Sequence, residues 1–186
     1  MKPLLDITVS LLALLLIFPI FIIICFAIKL DSNGPILFKQ KRTGQNDNYF
    51  MIYKFRTMQI DTPNLSTDKL TNPEQYVTKV GRFLRKTSFD EIPQLLNIVK
   101  GEMSLVGPRP ALYNQYELIN KRKTNGINSL KPGLTGYAQI MGRDFISDEK
   151  KVEYDKYYLK NVTIVSDVKI ILSTFTNVVK AENVKM

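Results

Sequence analysis

Two adjacent carboxylates, Asp90 and Glu91, follow Arg85 and Lys86 in the stretch RKTSFDEIPQLLNIVKG, Arg85 to Gly101. Such a pair can serve as nucleophile or base, or hold a divalent cation, and the cations just upstream suit an anionic substrate. Phe89, Ile92, Leu95, Leu96 and Val99 recur at three- and four-residue spacing. Ser88 followed by Glu91 fits a capping box, and Gly101 fits a stop, so the pair is expected at a helix N-terminus. Pro93 disfavours helical geometry at Ile92 and is expected to push the first turn beyond Glu91, leaving the carboxylates on the turn before the helix. Acids there also complement a helix dipole, so the pair alone leaves a structural and a chemical role open.

Other candidates gather around this pair. In YFMIYKFRTM, Tyr49 to Met58, an alternating pattern predicts a strand that carries Lys54 and Arg56 on one face, where two cations suit a phosphate. In GPRP, Gly107 to Pro110, flanking prolines hold Arg109 in a narrow range of directions, as a diphosphate clamp or as a basic turn. GRFLRKT, Gly81 to Thr87, fails the phosphate-loop pattern because Arg85 stands where a second glycine is needed. LKPGLTGYAQIMGRD, Leu130 to Asp144, reads as loop and strand with Arg143 exposed, without a dinucleotide fingerprint. The 186 residues contain no histidine and one cysteine, Cys25, inside an apolar run. Ser-His and Cys-His mechanisms, ordinary zinc sites and an intrachain disulfide are therefore excluded.

Elements that position these groups can be read in order. The chain fits one domain, and its net charge of +9 points to a polyanionic partner, a membrane surface or a phosphate-rich substrate. Dispersed cations and the lack of a recognised motif argue against nucleic acid. Ile7 to Ile28 is almost wholly apolar, long enough to cross a bilayer core, with a gross insertion gain of about −5 to −10 kcal/mol. Pro19 near its middle predicts at least a kink. Dense positive charge after the run would keep the C-terminal part cytosolic if the run spans, and a re-entrant turn at Pro19 would place both basic ends there; residue physics leaves the two open.

Lys39, Lys41 and Arg42 are expected against anionic headgroups, after a short strand or interfacial segment from Ile36 to Gln40. Asp61 to Pro73 reads as a loop, and Pro73 to Lys86 as a helix with Val77, Val80, Phe83 and Leu84 on its apolar stripe. Tyr113 to Lys123 reads as a further helix. Val165, Val168, Leu172, Phe175 and Val179 form a stripe beside Lys169 and Lys180, behind Tyr154, Tyr157 and Tyr158, suited either to a membrane interface or to the core. Asn64 and Asn161 match glycosylation sequons that a cytosolic location would leave unused.

Four blocks carry a family likeness: KFRTM at Lys54 to Met58, GRFLRKTSFDEIPQLLNIVKGEMSLVGPRP at Gly81 to Pro110, KPGLTGYAQIMGR at Lys131 to Arg143 and YDKYYLKN at Tyr154 to Asn161. Together, over essentially the whole chain, they resemble the bacterial sugar transferase family of small monotopic phosphoglycosyl transferases. The resemblance implies an α+β fold: a re-entrant membrane helix over 1–30, bent near Pro19, continuous with a compact, mainly helical cytosolic catalytic domain over 31–186, with short strands and interfacial amphipathic helices. It implies transfer of a sugar 1-phosphate from a UDP-sugar to undecaprenyl phosphate, with Mg²⁺, yielding undecaprenyl-diphosphate-sugar and UMP. Asp90 matches the family's nucleophile and Glu91 its acidic partner, both toward the metal. Arg109 matches the Pro-Arg-Pro arginine, and Lys54, Arg56, Arg85 and Arg143 match basic positions around the nucleotide-sugar site. The family bend lies at a Ser-Pro pair, where this chain has Phe18 before Pro19.

The block ALYNQYEL, Ala111 to Leu118, is similar to capsule-type enzymes acting on N-acetylated deoxyamino sugars. The implied setting is the cytosolic face of the bacterial inner membrane at the first membrane step of capsule, exopolysaccharide or glycoconjugate synthesis, with the bilayer and downstream glycosyltransferases as partners. The alternative from residues alone is a membrane-tethered basic binding protein whose carboxylates only cap a helix.

Overall fold

The computed structural model describes residues 2–62, 73–142 and 146–179. Most of the stretch expected as a loop from Asp61 to Pro73 lies outside these, as do Asn64, Arg143 and Lys180. The fold mixes helix and strand. Helix α1 (Lys2–Asp31) leads into an antiparallel hairpin, β1 (Leu37–Thr43) and β2 (Tyr49–Phe55), in which Leu37 faces Phe55 and Lys39 faces Tyr53. Then come α2 (Lys79–Thr87), α3 (Gln94–Val99), β3 (Ser104–Val106), α4 (Tyr116–Thr124), β4 (Gly133–Thr135), α5 (Tyr137–Ile140), α6 (Asp148–Lys160) and α7 (Ile164–Val179). Strands β3 and β4 pair in parallel, Ser104 opposite Gly133 and Val106 opposite Thr135.

Among the described residues α1 is the one helix long and apolar enough to cross a membrane. Its helical backbone is continuous through Pro19, whose missing N–H does not break it. One face lies on the domain along both halves. Asp6 and Ser10 are buried, and Ala13 and Leu14 pack on a cluster of Phe50, Ile52, Leu95, Ile98 and Met103. Ile24 and Ile28 join Phe55 and Leu84 in a second cluster. Leu4, Leu12, Leu15, Leu16, Ile23 and Phe26 face outward.

One expected helix differs from its sequence pattern, and α7 takes one of the two directions left open for it. The stretch from Pro73 to Lys86 is not one helix: a 3-10 turn, Pro73–Tyr76, is followed by Val77, which bridges to Met58, and α2 starts only after Thr78. Thr78 Oγ1 accepts from Gly81 N, and Asp31 Oδ2 at the end of α1 accepts from Val80 N at 2.9 Å, so two oxygens satisfy donors in the first turn of α2. Leu84 is buried there, but Phe83 is exposed and meets Phe89 edge to face. On α7 the predicted stripe points away from the core: Val165, Leu172 and Phe175 are 64%, 60% and 66% exposed. Asp167 and Ile170 form the buried side, and Thr174 Oγ1 meets Thr135 Oγ1 at 2.6 Å.

The basic run after α1 also divides. Lys39 sits over the Tyr53 ring, and Lys41 over Tyr49 and Tyr113, on the outer face of the hairpin. Arg42, expected beside them at headgroups, turns inward instead and donates to Pro110 O at 3.0 Å and to Gln40 Oε1 at 2.8 Å. Alternation along β1 is the cause, since successive side chains of a strand take opposite faces.

Candidate active site

Helix α2 ends when Ser88 adopts the left-handed conformation (φ 58, ψ 16) with its N–H on Arg85 O. Ser88 is thus a C-terminal stop, and its side chain makes no capping bond to the turn that follows; the expected capping box is not formed. Asp90 and Glu91 lie on a single 3-10 turn, Phe89–Glu91. Ile92 takes right-handed helical geometry (φ −50, ψ −41) despite preceding Pro93, because Ile92 N bonds to Phe89 O and Leu95 N to Ile92 O. The first α-turn still begins beyond Glu91, at Gln94, so the carboxylates project from the turn ahead of α3.

Burial is deep for an acidic pair: Asp90 is 8% exposed and Glu91 7%. Lys54 Nζ lies 2.7 Å from Glu91 Oε1 and 3.5 Å from Asp90 Oδ2, and Arg109 Nη2 lies 2.9 Å from the same Glu91 oxygen. Two cations therefore converge on Glu91, and Asp90 has the longer contact. Burial raises the Asp90 pKa above the ordinary carboxylate range; Lys54 opposes this, Glu91 adds to it, and Arg109 and Arg85 oppose it. A carboxylate so placed is a stronger base once ionised. Arg85 is itself held below the usual guanidinium value, by burial first and against the pull of Asp90, while its Nε donates to Thr57 Oγ1 at 3.0 Å.

Strand and helix are locked by Asn97, which is fully buried. Its Oδ1 accepts from Tyr53 N at 3.0 Å, and its Nδ2 donates to Met51 O at 2.8 Å and Glu102 Oε2 at 2.7 Å. That side chain mimics a sheet partner and fixes β2, hence Lys54, against the helix that follows the acids.

Arg109 is presented by a loop whose carbonyls are all bound. Pro108 O accepts from Gly133 N, Arg109 O from Arg122 Nη1 at 2.7 Å, Pro110 O from Arg42 Nη1 and Ala111 O from Thr43 N. The glycines of the two blocks allow this contact: a Cβ on Gly133 would stand 2.1 Å from Gly107 N, and one on Gly136 2.1 Å from Gly107 O. Arg122 is anchored in turn on Asp155, 2.7 Å from Nη2, with both buried. Burial raises the Asp155 pKa and Arg122 opposes it. Arg42 is pushed down to about 10 by burial and by Arg109, Glu91 acting the other way. Arg122→Met leaves the buried Asp155 carboxylate without its ion-pair partner, and a loss of about 3–5 kcal/mol of stability is expected, read from thermal unfolding in detergent.

Of the residues singled out by sequence, Asp90, Glu91, Lys54 and Arg109 are brought into direct contact, with Arg85 close enough to act on Asp90. Arg56 is not. It sits just past β2, is buried, and donates to the carbonyls of Ser32 and Asn33 after α1. Arg143 is outside the described residues. Arg122, Asp155, Asn97 and the inward Arg42 are further supports of the site. Asp155 had a legible sign, being an acid at helical spacing between Val152 and Leu159 on an otherwise apolar face.

Among the described residues no group of three or more Asp, Glu, His or Cys converges. Asp90 and Glu91 meet what Mg²⁺ asks of a protein when substrate phosphates supply further oxygens, namely one or two carboxylates.

The family model for bacterial sugar transferases matches residues 1–181. An uncharacterized sugar transferase, EpsL, of Bacillus subtilis is 40% identical over all of this chain and 90% of its own length. The exopolysaccharide production protein ExoY of Sinorhizobium fredii is 36% identical, over 91% of this chain and 81% of its own. The UDP-glucose:undecaprenyl-phosphate glucose-1-phosphate transferase of Escherichia coli is 40% identical over 91% of this chain, which spans 38% of that relative's length.

Proposed function

The chain belongs to the bacterial sugar transferase family, and from that premise we propose that it transfers a sugar 1-phosphate from a UDP-sugar to undecaprenyl phosphate, releasing UMP. The observation that carries this reading is Asp90, buried on a tight turn with Lys54 at 3.5 Å while Lys54 and Arg109 hold its neighbour Glu91. An Asp90 oxygen attacks the phosphorus bonded to the sugar; the bond to the UMP oxygen breaks, and UMP leaves with the electron pair. The acceptor's phosphate oxygen then attacks the aspartyl phosphosugar, forming the lipid diphosphate and restoring Asp90.

Repulsion between a carboxylate and a diphosphate opposes the first step. Lys54, Arg85 and Arg109 offset it with preorganised positive charge at a buried site. Mg²⁺ held by Asp90 and Glu91 with substrate phosphates would neutralise charge on the leaving group.

Both ends of α1 attach to one domain, Lys2 to Asp167 and Ile28 to Phe55, which supports a monotopic arrangement, and the dense positive charge after the apolar run supports the cytosolic face. The outward stripe of α7 supports docking at the bilayer interface. For the donor we propose an N-acetylated deoxyamino sugar, in the first membrane step of capsule, exopolysaccharide or glycoconjugate synthesis, with UDP-glucose as control because relatives carry that name. Incubation with a panel of UDP-sugars and undecaprenyl phosphate tests the reading: UMP and a lipid diphosphate sugar are expected, and release of UDP in place of UMP would overturn it.

A pH dependence follows from Asp90. Its raised pKa means that the free enzyme's nucleophile stays protonated above the ordinary carboxylate value of about 3.9. The acid limb of kcat/KM, measured at low divalent ion concentration, is expected above that value.

A further inference from the structure

The amino-terminal turn of α1 does more than enter a membrane. Asp6 and Ser104 are both buried, with Ser104 Oγ donating to Asp6 Oδ2 at 2.6 Å and lying 3.0 Å from Val106 O. The same carbonyl oxygen lies 3.2 Å from the hydroxyl of Tyr158, which donates to Asp167 Oδ1 at 2.6 Å. Asp167 Oδ2 is ion-paired with Lys2, one helical turn before Asp6. These contacts close a ring that starts and ends on α1 and passes through β3, α6 and α7. Charges at the start of an apolar helix can complement its dipole or meet an interface, whereas here Asp6 and Lys2 are both held by the domain.

Val106 is the last residue of β3 and is followed by Gly107, Pro108 and Arg109. That link is stiff. Gly107 is pressed between the backbones of Lys131, Gly133 and Gly136, with Gly107 N on Thr135 O at 2.9 Å. Pro108 has a ring-fixed φ and its carbonyl on Gly133 N. A shift of the Val106 carbonyl is therefore passed along three constrained residues to the guanidinium on Glu91.

We propose that Asp6, Ser104, Tyr158, Asp167 and Lys2 form a buckle that fastens the foot of the membrane helix to β3 and thereby positions Arg109 for the substrate diphosphate. It rests on the preceding reading of Arg109. These are positioning residues: each acts through β3, on which Ser104 lies and whose Val106 carbonyl packs against the Ser104 and Tyr158 hydroxyls. The first turn of α1 is thus a working part of the site.

A double-mutant cycle tests this, with UMP release from the active UDP-sugar as readout. Asp6→Ala is expected to lower kcat/KM for the donor about tenfold, and Asp6→Asn, whose oxygen still accepts from Ser104, to restore it to within about threefold. In an Arg109→Lys background Asp6→Ala is expected to cost less than about twofold, because the group it positions is already lost. Tyr158→Phe, which removes one hydroxyl and opens no large cavity, is read in the same cycle should Asp6→Ala not fold. Losses that multiply in full on Arg109→Lys, or a wild-type rate in both variants, overturn the buckle while the proposed function stands. A wild-type protein that releases no UMP from any UDP-sugar removes the function and, with it, the role given to the buckle.

Discussion

Asp90→Asn is expected to lower UMP release by at least about a thousandfold while leaving the protein as stable as the wild type or more so at neutral pH. The loss arises because an amide cannot form the covalent phosphoester that splits the transfer into two displacements. The gain arises from burial. Asp90 has its pKa raised in the folded chain, so the folded state binds more protons than the unfolded one between the ordinary carboxylate value and the raised one. Stability from this group is present below that window and is lost as pH rises through it. Asparagine, neutral throughout, escapes the loss, so its thermal unfolding temperature should exceed that of the wild type near pH 7 and converge with it near pH 4. A structural cap would behave in the opposite way, losing stability and keeping activity.

Arg109→Ala is expected to lower kcat/KM for the UDP-sugar by about a hundred- to a thousandfold, the scale of removing one preorganised donor from a developing charge. Its guanidinium is 2.9 Å from Glu91, and every backbone carbonyl from Pro108 to Ala111 is already bound by Gly133, Arg122, Arg42 or Thr43. The loop should therefore keep its path without the side chain, and the loss should fall on catalysis rather than folding. Steady-state kinetics beside a thermal melt separate the two; a melt unchanged within about 2 °C with a rate loss under tenfold would remove Arg109 from the diphosphate.

What could be read in advance follows the range of each interaction. The apolar spacing from Phe89 to Val99 and the turn-then-helix placement of Asp90 depend on near neighbours, and both are legible. Ser88 is different: its left-handed stop serves α2, and the local pattern matched a capping box equally well. Lys54 and Arg56 share a parity, yet Arg56 lies past the strand end and is drawn to carbonyls that follow α1, a contact across 23 residues. Arg122 and Asp155, 33 residues apart, form their pair only once α4 and α6 pack. The stripe on α7 gives its period but not its direction, which Asp167 decides by bonding to Tyr158 on the inner side. Asp6 and Lys2 read as flanking charges of an apolar run, because their partners stand about a hundred residues or more away.

The most direct test of a covalent route at Asp90 is a single-turnover incubation of the purified protein with the active UDP-sugar and Mg²⁺ but no lipid acceptor, followed by intact-mass and peptide analysis. One equivalent of UMP per protein is expected, with a sugar phosphate on the peptide that contains Asp90, and neither in Asp90→Asn. Release of UMP only when undecaprenyl phosphate is present, with an unmodified protein, would contradict the account.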